Sequence, residues 1–182
     1  MYSLEQNKIT ISSLLKQGYG QVYTYTYDHP TILEEMISIQ SGCLSYSILC
    51  VGAGSVSSEV LLLISCGSCQ SILTQTDLNT PRLINGAYWY FTDKNSFGFA
   101  DSSIISQSSC DTYGPYDNLR LCWHLSNGAG GYRIGQISGL TSDTTYRKLM
   151  FVYPITNTTT KRLTTTSTTT TSTTTAPIGF TY

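Results

Sequence analysis

Residues 118–153, NLRLCWHLSNGAGGYRIGQISGLTSDTTYRKLMFVY, decide how the rest of the chain reads. Over 119–125 the side chains alternate: Leu119, Leu121, Trp123 and Leu125 fall on one face, Arg120, Cys122 and His124 on the other. Alternation at period two describes a strand with one buried and one polar face. SNGAGG supplies glycines and an Asn-Gly pair for a turn, so 132–137 resumes as a second strand. Residues 139–144 turn again, and 146–153 runs out as a third.

Upstream the same grammar repeats. GAYWYFT at 86–92 places Ala87, Trp89 and Phe91 on one face and Tyr88 and Tyr90 on the other, and 93–96 reads as a hairpin turn into a strand at 97–100. Earlier strands are expected at 46–51, turned by GAGS, at 59–66, and at 71–75 after the CGSC turn. QVYTYTYD at 21–28 reads as a strand with an aromatic face formed by Tyr23, Tyr25 and Tyr27. Thr31 with Glu34 resembles a capping box, and Ile32, Leu33, Met36 and Ile37 share a helical face, so one short helix is expected over 32–39. About eight short strands joined by turns favour a mainly β fold, an antiparallel jelly-roll-like sandwich, because parallel pairing needs long crossovers. Trp89, Phe91, Phe97, Leu121, Trp123, Leu149 and Phe151 are expected in its core. The domain plan is an N-terminal extension at 1–42, a β module at 43–154 and a Thr-rich linker at 155–182.

Charged residues make up 12% of the chain and the formal net charge is −1, so the surface is solvated by hydroxyls more than by ions. With no basic block, the counterion release that drives nucleic-acid binding has little to act on. The longest apolar run, at 60–64, is too short to cross a bilayer, and membrane insertion is not expected. The first twenty residues hold no charged segment followed by an apolar run; either the leader lies outside this sequence or the chain is not exported.

Six cysteines, at 43, 50, 66, 69, 110 and 122, favour disulfides and an oxidising, extracellular compartment. Cys110 and Cys122 flank a Gly-Pro turn region, and a bridge closing that loop contributes about 3 kcal/mol. Cys43 or Cys50 pairs with Cys66 or Cys69. Cys66-Gly67-Ser68-Cys69 has redox spacing but lacks a βαβ context, and zinc held by Cys43, Cys50, Cys66 and Cys69 would require a reducing compartment. Val51-Gly52-Ala53-Gly54 superficially matches a dinucleotide loop, yet a Leu-rich strand follows it, so a tight turn is the better reading. No cofactor or resident metal is implied.

Of the twenty residues at 156–175, fourteen are Thr and two are Ser, a composition that cannot offset the cost of ordering its backbone and reads as an O-glycosylated stalk. Asn157-Thr158-Thr159 adds an N-glycosylation sequon. The succession GAYWYF, SFGFA, RLCWHL, GGYRIG and YRKLMF, spanning Cys50 to Tyr153, resembles an extracellular β-rich module of invertebrate multidomain proteins whose copies are separated by Thr-rich, mucin-like linkers. The resemblance implies an extracellular β module and adds no catalytic residues.

The polar face of the expected sheet is the candidate binding surface: Tyr88, Tyr90, Arg120, His124, Tyr132 and Arg133. Aromatic rings stack on sugars, and Arg and His donate to hydroxyls and carboxylates. The partner is then a carbohydrate or an extracellular glycoprotein, and the chain a lectin-like or adhesion module. The alternative is that these residues form a second packed face, with Arg120 paired to a buried carboxylate. Two further readings are a spacer without ligand and a secreted hydrolase using paired carboxylates among Asp93, Asp101, Asp111 and Asp117.

Overall fold

A computed structural model describes residues 4–107, 109–114, 117–125 and 129–154. The Thr-rich tract, the Asn157 sequon and 126–128 of the SNGAGG turn lie outside the described residues. Eleven strands form two antiparallel sheets. Strands β1 (Leu4–Gln6), β2 (Gly20–Thr26), β3 (Ile48–Ser55), β4 (Leu63–Ser68) and β11 (Tyr146–Tyr153) make a five-stranded sheet in the order β1-β4-β3-β11-β2. Strands β5 (Arg82–Ile84), β6 (Ala87–Thr92), β7 (Ser96–Ala100), β8 (Leu121–His124), β9 (Gly131–Ile134) and β10 (Ile137–Ser138) form a six-stranded meander in which each strand pairs with its neighbours in sequence. Residues 4–42 thus supply both edge strands of the five-stranded sheet.

One core joins the two sheets. Tyr23, Tyr27, Leu49, Val51, Leu63, Met150 and Val152 from the first meet Trp89, Phe91, Phe97, Phe99, Leu121, Trp123 and Ile134 from the second. Five of the seven expected core residues lie here; Leu149 and Phe151 do not. Met150 and Val152 take the face of β11 turned to the second sheet, while Leu149 and Phe151 point the other way into a smaller core with Ile11, Leu14 and the Cys50/Cys66 pair.

Three short helices are present where one was expected. Helix α1 (Ile11–Lys16) opens on a reciprocal cap, Ser13 N–H to Thr10 Oγ1 at 3.1 Å and Thr10 N–H to Ser13 Oγ at 3.3 Å. Helix α2 (Leu33–Ser41) begins one residue later than anticipated: the Glu35 carboxylate accepts from Ile32 N–H at 3.1 Å, while the Thr31 hydroxyl turns inward. Helix α3 (Cys69–Ile72) replaces the strand expected at 71–75, because Cys69 is tied to Cys43 and the Ser68 hydroxyl accepts from Ser71 N–H.

The GAGS segment is not a turn; it is the second half of β3. Glycine at 52 and 54 answers to crowding, since a Cβ at either would sit 2.9 Å from a carbonyl oxygen, of Leu63 and Val60 respectively. Disulfides join Cys43 to Cys69, Cys50 to Cys66 across the β3–β4 pair, and Cys110 to Cys122. Cys66 and Cys69 therefore take different partners, and the four sulfurs weighed as zinc ligands are all bridged.

Candidate functional site

The six side chains of the expected binding face do share one side of the six-stranded sheet, but residues 101–107 and 109–114 fold over it. Tyr90, Ala100, Ile105, Cys110 and Cys122 pack together there, with Tyr132 against them. Arg120 is 1% exposed. Its Nε donates to Asp117 Oδ2 at 2.7 Å, Nη1 to Asp111 Oδ2 at 2.8 Å and to the Ile104 carbonyl at 3.0 Å, and Nη2 to Ser102 Oγ at 2.8 Å. Tyr113 lies over the guanidinium at 5.0 Å.

Arg133, also 1% exposed, donates only to backbone carbonyls: Gly135, Tyr113, Gly114 and Asp117, at 2.8 to 3.1 Å. Tyr90 is fully enclosed with its hydroxyl donating to the Leu121 carbonyl at 2.8 Å, and His124 Nδ1–H donates to the Ser109 carbonyl at 3.1 Å. Tyr88 and Tyr132 remain half-buried. A guanidinium whose donors are taken by protein acceptors has little left for a ligand, so this arrangement is the packed face, with Arg120 against the enclosed Asp111.

Three of the four carboxylates considered for a hydrolase, Asp101, Asp111 and Asp117, converge on Arg120, whereas Asp93 sits in the β6–β7 turn. Burial and the neighbouring Asp117 raise the Asp101 carboxyl above its ordinary value. Burial works the same way on Asp117, but the Leu119 amide and Arg120 overcome it and hold that carboxyl low. The pair thus shares a site with one member favouring its proton. Their common partner is the buried cation, and neither cavity described below is lined by them.

Sequence reasoning missed a second polar cluster. Lys148 lies on β11, on the core side with Met150, and is 0% exposed. Its ammonium donates to the His29 carbonyl at 2.5 Å and to Thr31 Oγ1 at 2.7 Å, and lies 5.9 Å from the Trp123 ring. Thr31 bonds the Tyr23 hydroxyl at 2.9 Å, Glu35 accepts from Tyr23 at 3.5 Å and meets His29 at 3.2 Å, and His29 stacks on Tyr25 at 3.7 Å. Burial pulls the Lys148 amine down to about 7, against the weaker attraction of Glu35 and Asp28. The signal in the sequence was a lysine in register with Met150 and Val152 on the apolar face of its strand.

At one end of the molecule the edge of each sheet contributes to an open groove of about 210 Å³. Gln6 and Asn7 come from the end of β1, Leu62 and Leu63 from the start of β4, Asn118 from the approach to β8, and Ile134, Gly135, Gln136 and Ile137 from the β9–β10 turn. The walls are pinned by Asn7 N–H to the Leu62 carbonyl at 3.2 Å and Gly135 N–H to the Arg120 carbonyl at 2.7 Å. Among the described residues, the side chains of Gln6, Asn7 and Asn118 make no hydrogen bond to protein. A second depression of about 280 Å³ is lined by 75–77 and 80–82 and carries both Asp77 and Arg82.

Comparison with known proteins adds no identity: no family model, no curated protein and no solved structure matches this chain.

Proposed function

We propose that the protein is a non-enzymatic extracellular recognition or adhesion module that binds carbohydrate or a matrix glycoprotein. The observation that carries this reading is the set of three disulfides that leaves no free cysteine, the covalent pattern of proteins living in an oxidising compartment. Its two sheets are read as the layers of a jelly-roll-like sandwich, in keeping with the side chains of both that meet in one core. The Thr-rich composition at 156–175 supports a glycosylated stalk that carries the module away from a surface. The non-enzymatic reading rests on how the buried polar groups are used, since Arg120, Asp111 and Asp117 are committed to holding 101–117 in place.

Two measurements on protein secreted from cultured cells test it. Intact mass should rise by six hydrogens on reduction and should exceed the sequence mass through attached glycan. A glycan array probed with the oligomerised module should return specific binders; a blank array with folded protein overturns the recognition reading and leaves a ligand-free spacer.

A further inference from the structure

We propose that the groove between the β1 edge and the β9–β10 turn takes one terminal ring of a neutral saccharide. This rests on the recognition reading above and gives it a site and a ligand class. Three carboxamides, from Gln6, Asn7 and Asn118, line the groove. Each offers donors and an acceptor, the combination that a row of sugar hydroxyls requires, because every hydroxyl both gives and accepts a hydrogen bond.

The lining holds no Asp, Glu, Lys, Arg or His. A carboxylated or sulfated sugar would be stripped of water there without a countercharge, so the site selects for neutrality. The Arg133 guanidinium behind Gly135 is spent on backbone carbonyls, and Lys8 and Glu5 pair with one another at 3.0 Å. Leu62 is half-open and Ile137 exposed, which gives the C–H face of a pyranose an apolar wall.

Size sets the remaining limit. At about 210 Å³ the groove is below the range of roughly 300–1,000 Å³ that takes drug-sized ligands, so it suits a single ring. One ring of a dozen heavy atoms in an open site implies a Kd on the order of 1 mM, and useful adhesion would come from several copies acting together. The competing depression, with Asp77 and Arg82 in its wall and the Thr76 hydroxyl already accepting from Phe91 N–H, lacks this neutrality and part of its polar capacity.

The test uses the full chain, secreted, with ligand-detected NMR against methyl glycosides of glucose, galactose, mannose and N-acetylglucosamine, beside the glycan array. Wild type should bind at least one neutral glycoside. The double variant Gln6→Ala with Asn118→Ala, and separately Ile137→Glu, should weaken it at least tenfold, while Tyr88→Ala on the covered face leaves it unchanged. Ile137 is 37% exposed, so its replacement keeps the fold even where the double variant does not, as near-ultraviolet circular dichroism will show. Groove variants that bind as well as wild type overturn the site but leave the recognition reading intact. A blank array removes that reading and the site with it. Preference for sialylated or sulfated glycans overturns the ligand class.

Discussion

Replacing Lys148 with Met should flatten the dependence of stability on pH. The amine is fully buried and sits at about 7 in the folded chain, against an ordinary value of 10.5. Between those limits the unfolded chain holds the proton more tightly than the folded one, so stability rises with pH. The contribution is complete above 10.5, is lost as pH falls through the window, and is constant below 7. Across the whole window, 3.5 units at 1.36 kcal/mol per unit is about 5 kcal/mol. Tyr23, Tyr27 and Tyr90, whose burial raises them above their ordinary 10.0, act in the opposite sense at the alkaline end. Measurement is therefore cleanest from pH 7 to 9, where the lysine alone is worth about 2 kcal/mol.

The assay is urea unfolding with disulfides intact, extrapolated linearly at pH 7, 8 and 9. With no free cysteine to start exchange, the alkaline points remain interpretable. Wild type should gain a little over 1 kcal/mol per pH unit and Lys148→Met close to none, since Met keeps the length and the apolar contact with Trp123 but carries no proton. Equal slopes in the two proteins would refute the argument: the amine would then be hydrated in the folded state, and the tie to residues 29 and 31 would not be the dry contact described above.

Three other outcomes follow from the same geometry. Removing the Cys110–Cys122 bridge by a double alanine change should cost about 3 kcal/mol in urea and make 101–117 the first site of proteolysis. Arg120→Met leaves Asp111, which is 0% exposed, without its cation and should cost about 3–5 kcal/mol, part of which Asp111→Asn in the same chain restores. Gly98→Ala should abolish folding or lower the melting temperature sharply, because the new Cβ would run into the Leu121 carbonyl and sit 2.7 Å from the Tyr90 hydroxyl; Gly139→Ala, with open space but φ +75°, should cost only about 1–2 kcal/mol.

The strands that the sequence announced are those whose alternation is backed by large side chains. β6, β7 and β11 stand within a residue of where the pattern put them, and the two faces of 119–125 are divided as the alternation divides them. Elsewhere local chemistry spoke with two meanings. Glycines at 52 and 54 serve a turn or a crowded strand equally well, and only the approach of β4 selects the strand. Thr10 and Ser13, which break the apolar run near the N-terminus, are the cap of α1. The seven aromatic and aliphatic residues assigned to one core divide between two because Ile11 and Leu14 cover the outer face of β11, and a strand apolar on both faces does not tell which of them meets the other sheet. The polar face was grouped correctly in space, but alternation cannot say what lies above a face. That role fell to 101–117, whose sequence reads as connection.

The groove was hidden for a related reason: its walls come from four places in the chain, and none carries a motif. What the sequence did contain, and what composition obscured, is an unusual use of positive charge. The chain has only ten Lys and Arg residues, and three of them, Arg120, Arg133 and Lys148, are almost wholly enclosed. Each is bonded to an irregular segment: the two arginines to 102–117, the lysine to 29–31. Packing holds such segments only in part, as through Ile105 and Cys110, and carbonyls outside a strand still need donors. A buried cation with several donors satisfies those carbonyls from below and converts a loop into a lid over the sheet. Cations used this way are withdrawn from the surface of a chain that has few charges to begin with. In the groove the polar groups are amides, which is the chemistry that the proposed saccharide would require.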